Sequence, residues 1–414
     1  MGRARRVTWL VVVLGLALLV FLHELGHFSV AWLVGIKPRA FYIGFPPAIA
    51  KVRRKGIDYG IGAIPLGGYV RIPGMRRPAA DDLETLMSPA VREDLTLAPA
   101  ADAVQHPLAA EDFETARAAL PALSAAVEQA QLSPSARRSA QQAVRDVDEG
   151  SGTDALWRQP TWKRVAVIAA GPGMNVLVAF VIFFVVYASG APSQNPSTEV
   201  AQVQANTPAA AAGLAPGDRI IAVDGHRTRT FAQLSMMISS SQGRPITVTV
   251  KRSRRAVTLG PRRTIKDHGR WIWGFAPASL LVSHPLGASA RLAIGDCWRV
   301  VDGTVSSLGN LFRGQSGARV TGPVGIVRTS AEYLRIGVQW YLELLGLISM
   351  SIALFNLLPL LPLDGGNILF SLIEGLRGRA VPQAVYQRFS AFGIALLMLI
   401  MAIAFSNDIG APLR

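Results

Sequence analysis

Apolar residues dominate four stretches of the chain, at 7–34, 165–187, 340–361 and 389–405. Each is close to the roughly 20 residues a helix needs to cross a bilayer. Between the first two the pattern changes twice. Residues 48–52 and 57–64 read as strands about the turn Arg53-Arg54-Lys55-Gly56, and 65–72 returns as a further strand. From 78 onward the chain turns Ala-rich, acidic and helical, with amphipathic helices over 111–131 and 134–147. The second of these opens on Ser133 as N-cap and Pro134 in the first turn. Between the second and third apolar stretches lies a soluble module in which Ile246-Thr247-Val248-Thr249-Val250 alternates as a strand. A helix over 284–312 follows, amphipathic enough to lie along a membrane surface.

This pattern predicts a polytopic α-helical membrane protein with about four transmembrane helices, a membrane-associated β-hairpin and one small α/β domain. The first transmembrane helix falls in 1–36, the hairpin region in 37–77 and the helical insertion in 78–158. The second transmembrane helix falls in 163–190, the soluble module in 196–278 and the membrane-surface region in 284–335. The third transmembrane helix and a loop after it occupy 338–380, and the fourth helix 386–406.

Charge refines the picture. The net charge of +15 hides an acidic island, since residues 81–154 hold 14 of the 27 acids and only 5 arginines. In a membrane protein the basic remainder points to anionic headgroups, and no nucleic-acid module is visible. Twelve Lys and Arg near the span ends lie on the side of the 37–164 and 362–388 loops against six on the other. By the positive-inside rule the chain starts outside and the soluble module lies outside as well. The single cysteine, Cys297, excludes an internal disulfide and a cysteine metal cluster. The first apolar stretch has no small-residue cleavage site after its core and is not a signal peptide.

Its centre carries His23-Glu24-Leu25-Gly26-His27 instead. Two imidazoles at i and i+4 share a helix face, which suits two ligands of a tetrahedral zinc. Glu24 beside them is suited to take a proton from water as general base. Ionisable groups in hydrocarbon each cost several kcal/mol unless they bind something or face water. The same argument applies to Asp364, which follows Asn356-Leu357-Leu358-Pro359-Leu360-Leu361-Pro362-Leu363 at membrane depth. Prolines and glycines break the helix around this carboxylate, which needs a cation, and a zinc on His23 and His27 supplies one. Gly67-Gly68-Tyr69-Val70 lies in the returning strand, whose unpaired edge is a template for another strand. Asn175, in Gly171-Pro172-Gly173-Met174-Asn175, suits either helix packing or contact with a substrate.

Two resemblances follow from these residues. The run Pro208-Ala209-Ala210-Ala211-Ala212-Gly213-Leu214-Ala215-Pro216-Gly217-Asp218-Arg219-Ile220-Ile221-Ala222-Val223-Asp224-Gly225 resembles a PDZ domain of the bacterial protease type. Such domains bind peptide by adding a strand; the sequence does not locate the peptide site. His23-Glu24-x-x-His27, Gly67-Gly68-Tyr69-Val70, Gly171-Pro172-x-x-Asn175, Gly322-Pro323-Val324-Gly325-Ile326 and Asn356 to Asp364-Gly365 together resemble the site-2 protease family. The nearest group is the one that includes the regulator-of-sigma-E protease, and the likeness covers most of the chain except 78–155.

The resemblance implies an intramembrane zinc metalloendopeptidase of the bacterial inner membrane, with Zn2+ on His23, His27 and Asp364 and Glu24 as catalytic base. It implies that Gly67, Gly68, Tyr69 and Val70 hold an unwound substrate as a strand, and that Asn356 helps to orient it. The substrate would be a single-span membrane protein such as an anti-sigma factor, trimmed first by an upstream site-1 protease. Three departures stand out: one PDZ module where some relatives have two, prolines at offsets 3 and 6 from Asn356 where 3 and 5 is commoner, and Asn367 after Gly366 where many relatives have histidine. A catalytically silent zinc-binding PDZ scaffold is the rival expectation, and the presence of Glu24 speaks against it.

Overall fold

The computed structural model describes residues 2–192, 196–267, 269–278, 281–313 and 321–410. Residues 314–320 of the predicted surface region and His268 of the soluble module lie outside them. Among the described residues four helices are long and apolar enough to cross a membrane: α1 (Gly2–Leu33), α6 (Thr161–Ser189), α11 (Val338–Asn356) and α13 (Gln383–Gly410). The chain divides into two compact units, the first comprising Met1–Ile182, Asp296–Gly337 and Leu344–Arg414, the second Phe183–Gly295 and Val338–Glu343.

In the first unit, β1 (Ala40–Arg54) and β2 (Ile57–Arg71) are longer than the sequence predicts. Their turn needs only Lys55 and Gly56, at φ +52° and +81°. Positive φ at both central positions matches the right-handed twist of the flanking strands. Pro46 and Pro47 hide β1 from a sequence reading, because proline argues against a strand interior. Residues 40–43 are paired on both sides, with 58–61 and with 68–71, while 48–54 pair with 57–62. The segment 68–71 is therefore an outer one, and it runs beside α1.

The insertion contains four helices, α2 (Ala80–Glu93), α3 (Ala98–Ala109), α4 (Phe113–Gln129) and α5 (Pro134–Ser151). The predicted pair corresponds to α4 and α5. Helices α2 and α3 are obscured in the sequence by the internal Pro89 and Pro107, whose missing amides argue against helix. Packing of Leu83, Met87, Val104, Leu120, Leu123 and Val127 into one core offsets that loss. The neck of the insertion is closed by hydrogen bonds from Leu156 N–H to Pro73 O (2.9 Å) and Trp157 N–H to Gly74 O (3.0 Å). Gly74, at φ +61°, lies so close to Ala155 that a Cβ there would clash.

Helix α9 (Leu286–Phe312) runs through the amphipathic stretch, and Cys297 on it is half-buried. The Gly-Pro-Val-Gly-Ile motif opens helix α10 (Pro323–Ile336), with Gly322 as its N-cap. The N–H groups of Gly322 and Gly325 donate to the Asp408 carboxylate of α13 at 3.0 and 2.9 Å, a negative charge on orphan helix donors. Helix α11 ends at Asn356 and α12 (Asp364–Arg377) begins at Asp364. Between them the chain doubles back, with Leu360 N–H donating to Leu358 O (2.7 Å) and Leu363 N–H to Leu360 O (2.8 Å). Gly365 and Gly366 press on this doubled segment, where any Cβ would strike Leu357 O or the Leu360 main chain. The glycine pair is what lets Asp364 open α12 at this point.

The second unit holds a four-stranded antiparallel sheet ordered His226–Arg227, Arg219–Val223, Pro245–Arg252 and Arg255–Arg263. The one-turn helix α7 (Pro208–Ala211) and α8 (Phe231–Ser240) accompany it. Ile220, Leu234, Ile246, Val248, Val250 and Trp273 form its core. The turn at Pro216-Gly217 is locked by Asp218, which accepts from Arg252 Nε (2.7 Å) and Nη2 (2.6 Å) and from the Ala215 amide (2.9 Å).

Candidate metal centre

His23 and His27 are one turn apart on α1 and both are buried. The broken-helix geometry brings Asp364 to them from the far end of the sequence. Asp364 Oδ2 lies 3.2 Å from His23 Nε2 and 3.3 Å from His27 Nε2, and the two Nε2 atoms are 3.2 Å apart. Three lone-pair atoms converge on one point in a buried setting.

That triangle has the size zinc requires. Tetrahedral bonds of about 2.0 Å put ligand atoms about 3.3 Å from one another. Asp364 Oδ2 is buried and receives no hydrogen bond, as expected of a carboxylate oxygen whose partner is a cation. These three are the one group of such residues able to hold a metal among the described residues.

The third wall of the centre is α6, which sequence reasoning assigned only to packing or substrate contact. Val167, Gly171 and Asn175 recur at i, i+4 and i+8 and share one face of this helix. His27 Nδ1 lies 2.9 Å from the carbonyl oxygen of Val167. A Cβ at Gly171 would collide with His27 Nε2 and His23 Cε1, so glycine leaves the room the cluster needs. Asn175 is fully buried, with its side-chain amide 3.3 Å from His23 Nδ1. Its own carbonyl accepts from Ser349 Oγ at 2.9 Å. Close approach of the helices is secured by Gly26, where a Cβ would strike Ala170 O. The signal available in the sequence was this spacing of Val, Gly and Asn, which reads as ordinary small-residue packing until α1 is placed against it.

Glu24 lies next to the triangle and faces the hairpin. A Cβ on Gly68 would sit 3.1 Å from Glu24 Cγ and 3.2 Å from its Cβ. Gly67, at φ +79°, packs against Val20 so closely that only glycine fits. The Tyr69 ring lies 5.9 Å from that of Tyr42. The candidate strand residues are thus beside Glu24. Asn356 is half-buried at the end of α11, and among the described residues no hydrogen bond joins its side chain to the three convergent groups. Asn367, one turn into α12, accepts from Tyr386 Oη at 2.7 Å.

The insertion, which carried no chemistry in the sequence reading, borders this edge. A groove of about 560 Å³ is lined by Tyr69, Val70 and Arg71 on one side and Asp82, Asp146 and Glu149 of α2 and α5 on the other. Arg71 ties the two walls together, reaching Asp146 at 2.8 Å and Glu149 at 3.0 Å. Burial pushes the Glu149 carboxyl above its ordinary value, and the Arg71 charge opposes that rise.

Comparison with known proteins agrees with this chemistry. The family model described as Peptidase family M50 matches residues 11–400. A putative zinc metalloprotease of Rhizobium meliloti is 31% identical over 95% of this chain and 94% of its own length. The regulator of sigma-W protease RasP of Bacillus subtilis is 28% identical over 94% of this chain and 95% of its own. The probable protease Eep of Enterococcus faecalis is 26% identical over 95% and 96%.

Proposed function

The chain belongs to peptidase family M50, the site-2 type of zinc metalloprotease, and from that premise we propose that it cleaves single-span membrane proteins within or beside the bilayer. One observation supports this above the others. His23 and His27 sit on a helix apolar and long enough to span a membrane, and Asp364 joins them there. In this reading His23, His27 and Asp364 hold the zinc. When bound, zinc supplies a Lewis acid for the scissile carbonyl and makes water a stronger acid.

The chain's own groups do the rest. Glu24 takes a proton from the attacking water and returns it to the leaving amide nitrogen, as general base and then general acid. The outer strand segment 68–71 pairs with substrate backbone. An unwound span has bare N–H and C=O groups in hydrocarbon, and strand pairing satisfies them. Gly68 of the outer segment lies against the Glu24 side chain, so a strand paired there would lie next to the base. Asn356, half-buried at the end of α11, helps to orient that strand.

The soluble module at 196–278 is read as a PDZ-like domain that restricts which substrates enter. The loop charges support placing it on the extracytoplasmic side of the membrane, which in this reading is a bacterial inner membrane. Anti-sigma-type proteins already trimmed by a site-1 protease fit such a site, because a shortened ectodomain passes a restricting module. The test is co-expression of the full chain with tagged single-span proteins, followed by mapping of the new termini. Cut sites inside or next to the spanning segment are expected, and cuts confined to soluble loops would overturn the reading.

A further inference from the structure

We infer that Asn175 is a positioning residue for the zinc centre, holding His23 in the tautomer that ligates through Nε2. The inference rests on the ligand set proposed above. It begins from a difference between the two histidines. A histidine that ligates through Nε2 carries its proton on Nδ1 and needs an acceptor there. For His27 that acceptor is the Val167 carbonyl at 2.9 Å. For His23 the neighbour is the Asn175 amide at 3.3 Å.

An amide offers a donor or an acceptor according to a half-turn about its last bond. The atom nearest His23 Nδ1 is Nδ2, while Oδ1 is buried with no hydrogen-bond partner. With Nδ2 donating, His23 carries its proton on Nε2, where the Nε2 lone pair of His27 accepts it at 3.2 Å. That is a self-consistent arrangement for the cluster without metal. With zinc held at Nε2, His23 would carry its proton on Nδ1, and two N–H groups would face each other. The half-turn removes that conflict and gives the stranded Oδ1 a partner. Asn175 can make this turn without moving its backbone, which is fixed by the bond from Ser349 Oγ to its carbonyl. The two arrangements thus form a matched pair, one for each state of the centre.

Packing and acceptor roles predict opposite orders for two substitutions. Asn175→Asp keeps an acceptor of the same shape and adds charge, whereas Asn175→Leu keeps the volume and removes the acceptor. Zinc affinity of the purified full chain, measured by competition with a chelator, is expected to stay within a few-fold of the parent in Asn175→Asp. In Asn175→Leu it should fall by about 10–100-fold, the range for loss of a ligand's outer partner. Asp364→Ala serves as the control for the ligand set. If that control binds zinc like the parent, the ligand set is wrong. If the control fails to bind but Asn175→Leu equals or exceeds Asn175→Asp, the positioning role is overturned by itself. Should Asn175→Leu not fold, Asn175→Asp decides alone, because a drop of 10-fold or more there contradicts an acceptor role. A 15N spectrum of the zinc-loaded parent should further show His23 protonated at Nδ1, and protonation at Nε2 would overturn the inference.

Discussion

His27 donates from Nδ1 to the main-chain carbonyl of Val167 at 2.9 Å. A carbonyl only accepts, so a proton is on Nδ1, and in the neutral ring the Nε2 lone pair faces His23 and Asp364. One histidine is therefore in its ligating form before any metal arrives, which leaves the carboxylate as the group whose loss matters most for charge. Asp364→Ala is expected to weaken zinc binding by more than the about 10–100-fold typical of losing an outer partner. Metal analysis after dialysis against a chelator measures this, and retained zinc with retained cleavage would remove Asp364 from the ligand set.

Glu24 stands beside the triangle and contributes no atom to it. Glu24→Gln should therefore leave zinc content unchanged while cleavage falls by about 10²–10⁴-fold or more, the scale of a lost general base. Substrate turnover in cells and metal content of the purified variant are read side by side.

Two glycines of one motif should behave oppositely. A Cβ at Gly171 has nowhere to go except into His27 and His23, whereas nothing lies within 4 Å of a Cβ at Gly173. Gly171→Ala is expected to lose zinc and activity. Gly173→Ala should be neutral or stabilising by up to about 1 kcal/mol from helix propensity. Thermal unfolding in detergent together with zinc content separates the two outcomes.

Much of the centre was legible because its signals are local or chemically costly. His23, Glu24 and His27 lie within one helical turn, and Asp364 announces itself as a carboxylate amid prolines and glycines at membrane depth. Val167, Gly171 and Asn175 were not legible in the same way. Their role exists only once α6 lies against α1, and a carbonyl contributes nothing to a residue pattern. The hairpin was underestimated at Pro46-Pro47 and the insertion at Pro89 and Pro107, for one reason. Local rules for proline were overridden by packing and pairing that are distant in sequence.

The hairpin edge can be probed through its backbone. Val70→Pro removes one amide of the outer segment 68–71, and with it a donor a substrate strand could use. Val70→Ala keeps that donor. Both variants should retain zinc, and only the proline variant should lose most of its cleavage. Equal cleavage by the two at equal expression would mean that substrate backbone pairs elsewhere.

The soluble module has its own pH signature. The Arg252 guanidinium holds the Asp218 carboxyl below the usual carboxylate range. A depressed folded value contributes stability above the unfolded value of about 3.9 and loses it as pH falls through the folded one. Hydrogen exchange of strands Arg219–Val223 and Pro245–Arg252 in the full chain should stay slow to below about pH 3.9. In Arg252→Met the loss of protection should begin at higher pH. An unchanged onset would show that the pair does not hold the module together.

The neck of the helical insertion has a practical consequence. Pro73 and Gly74 are bonded to Leu156 and Trp157, and Gly150 packs on Pro78 so that a Cβ would come within 2.7 Å of Pro78 Cγ. The two ends of an 80-residue-scale excursion thus meet at one doorway, the geometry in which whole domains can be exchanged. A fluorescent protein or an affinity handle spliced in place of α2–α5 would enter and leave the fold at that doorway. It would report on the enzyme from beside its catalytic edge, with neither terminus of the chain occupied.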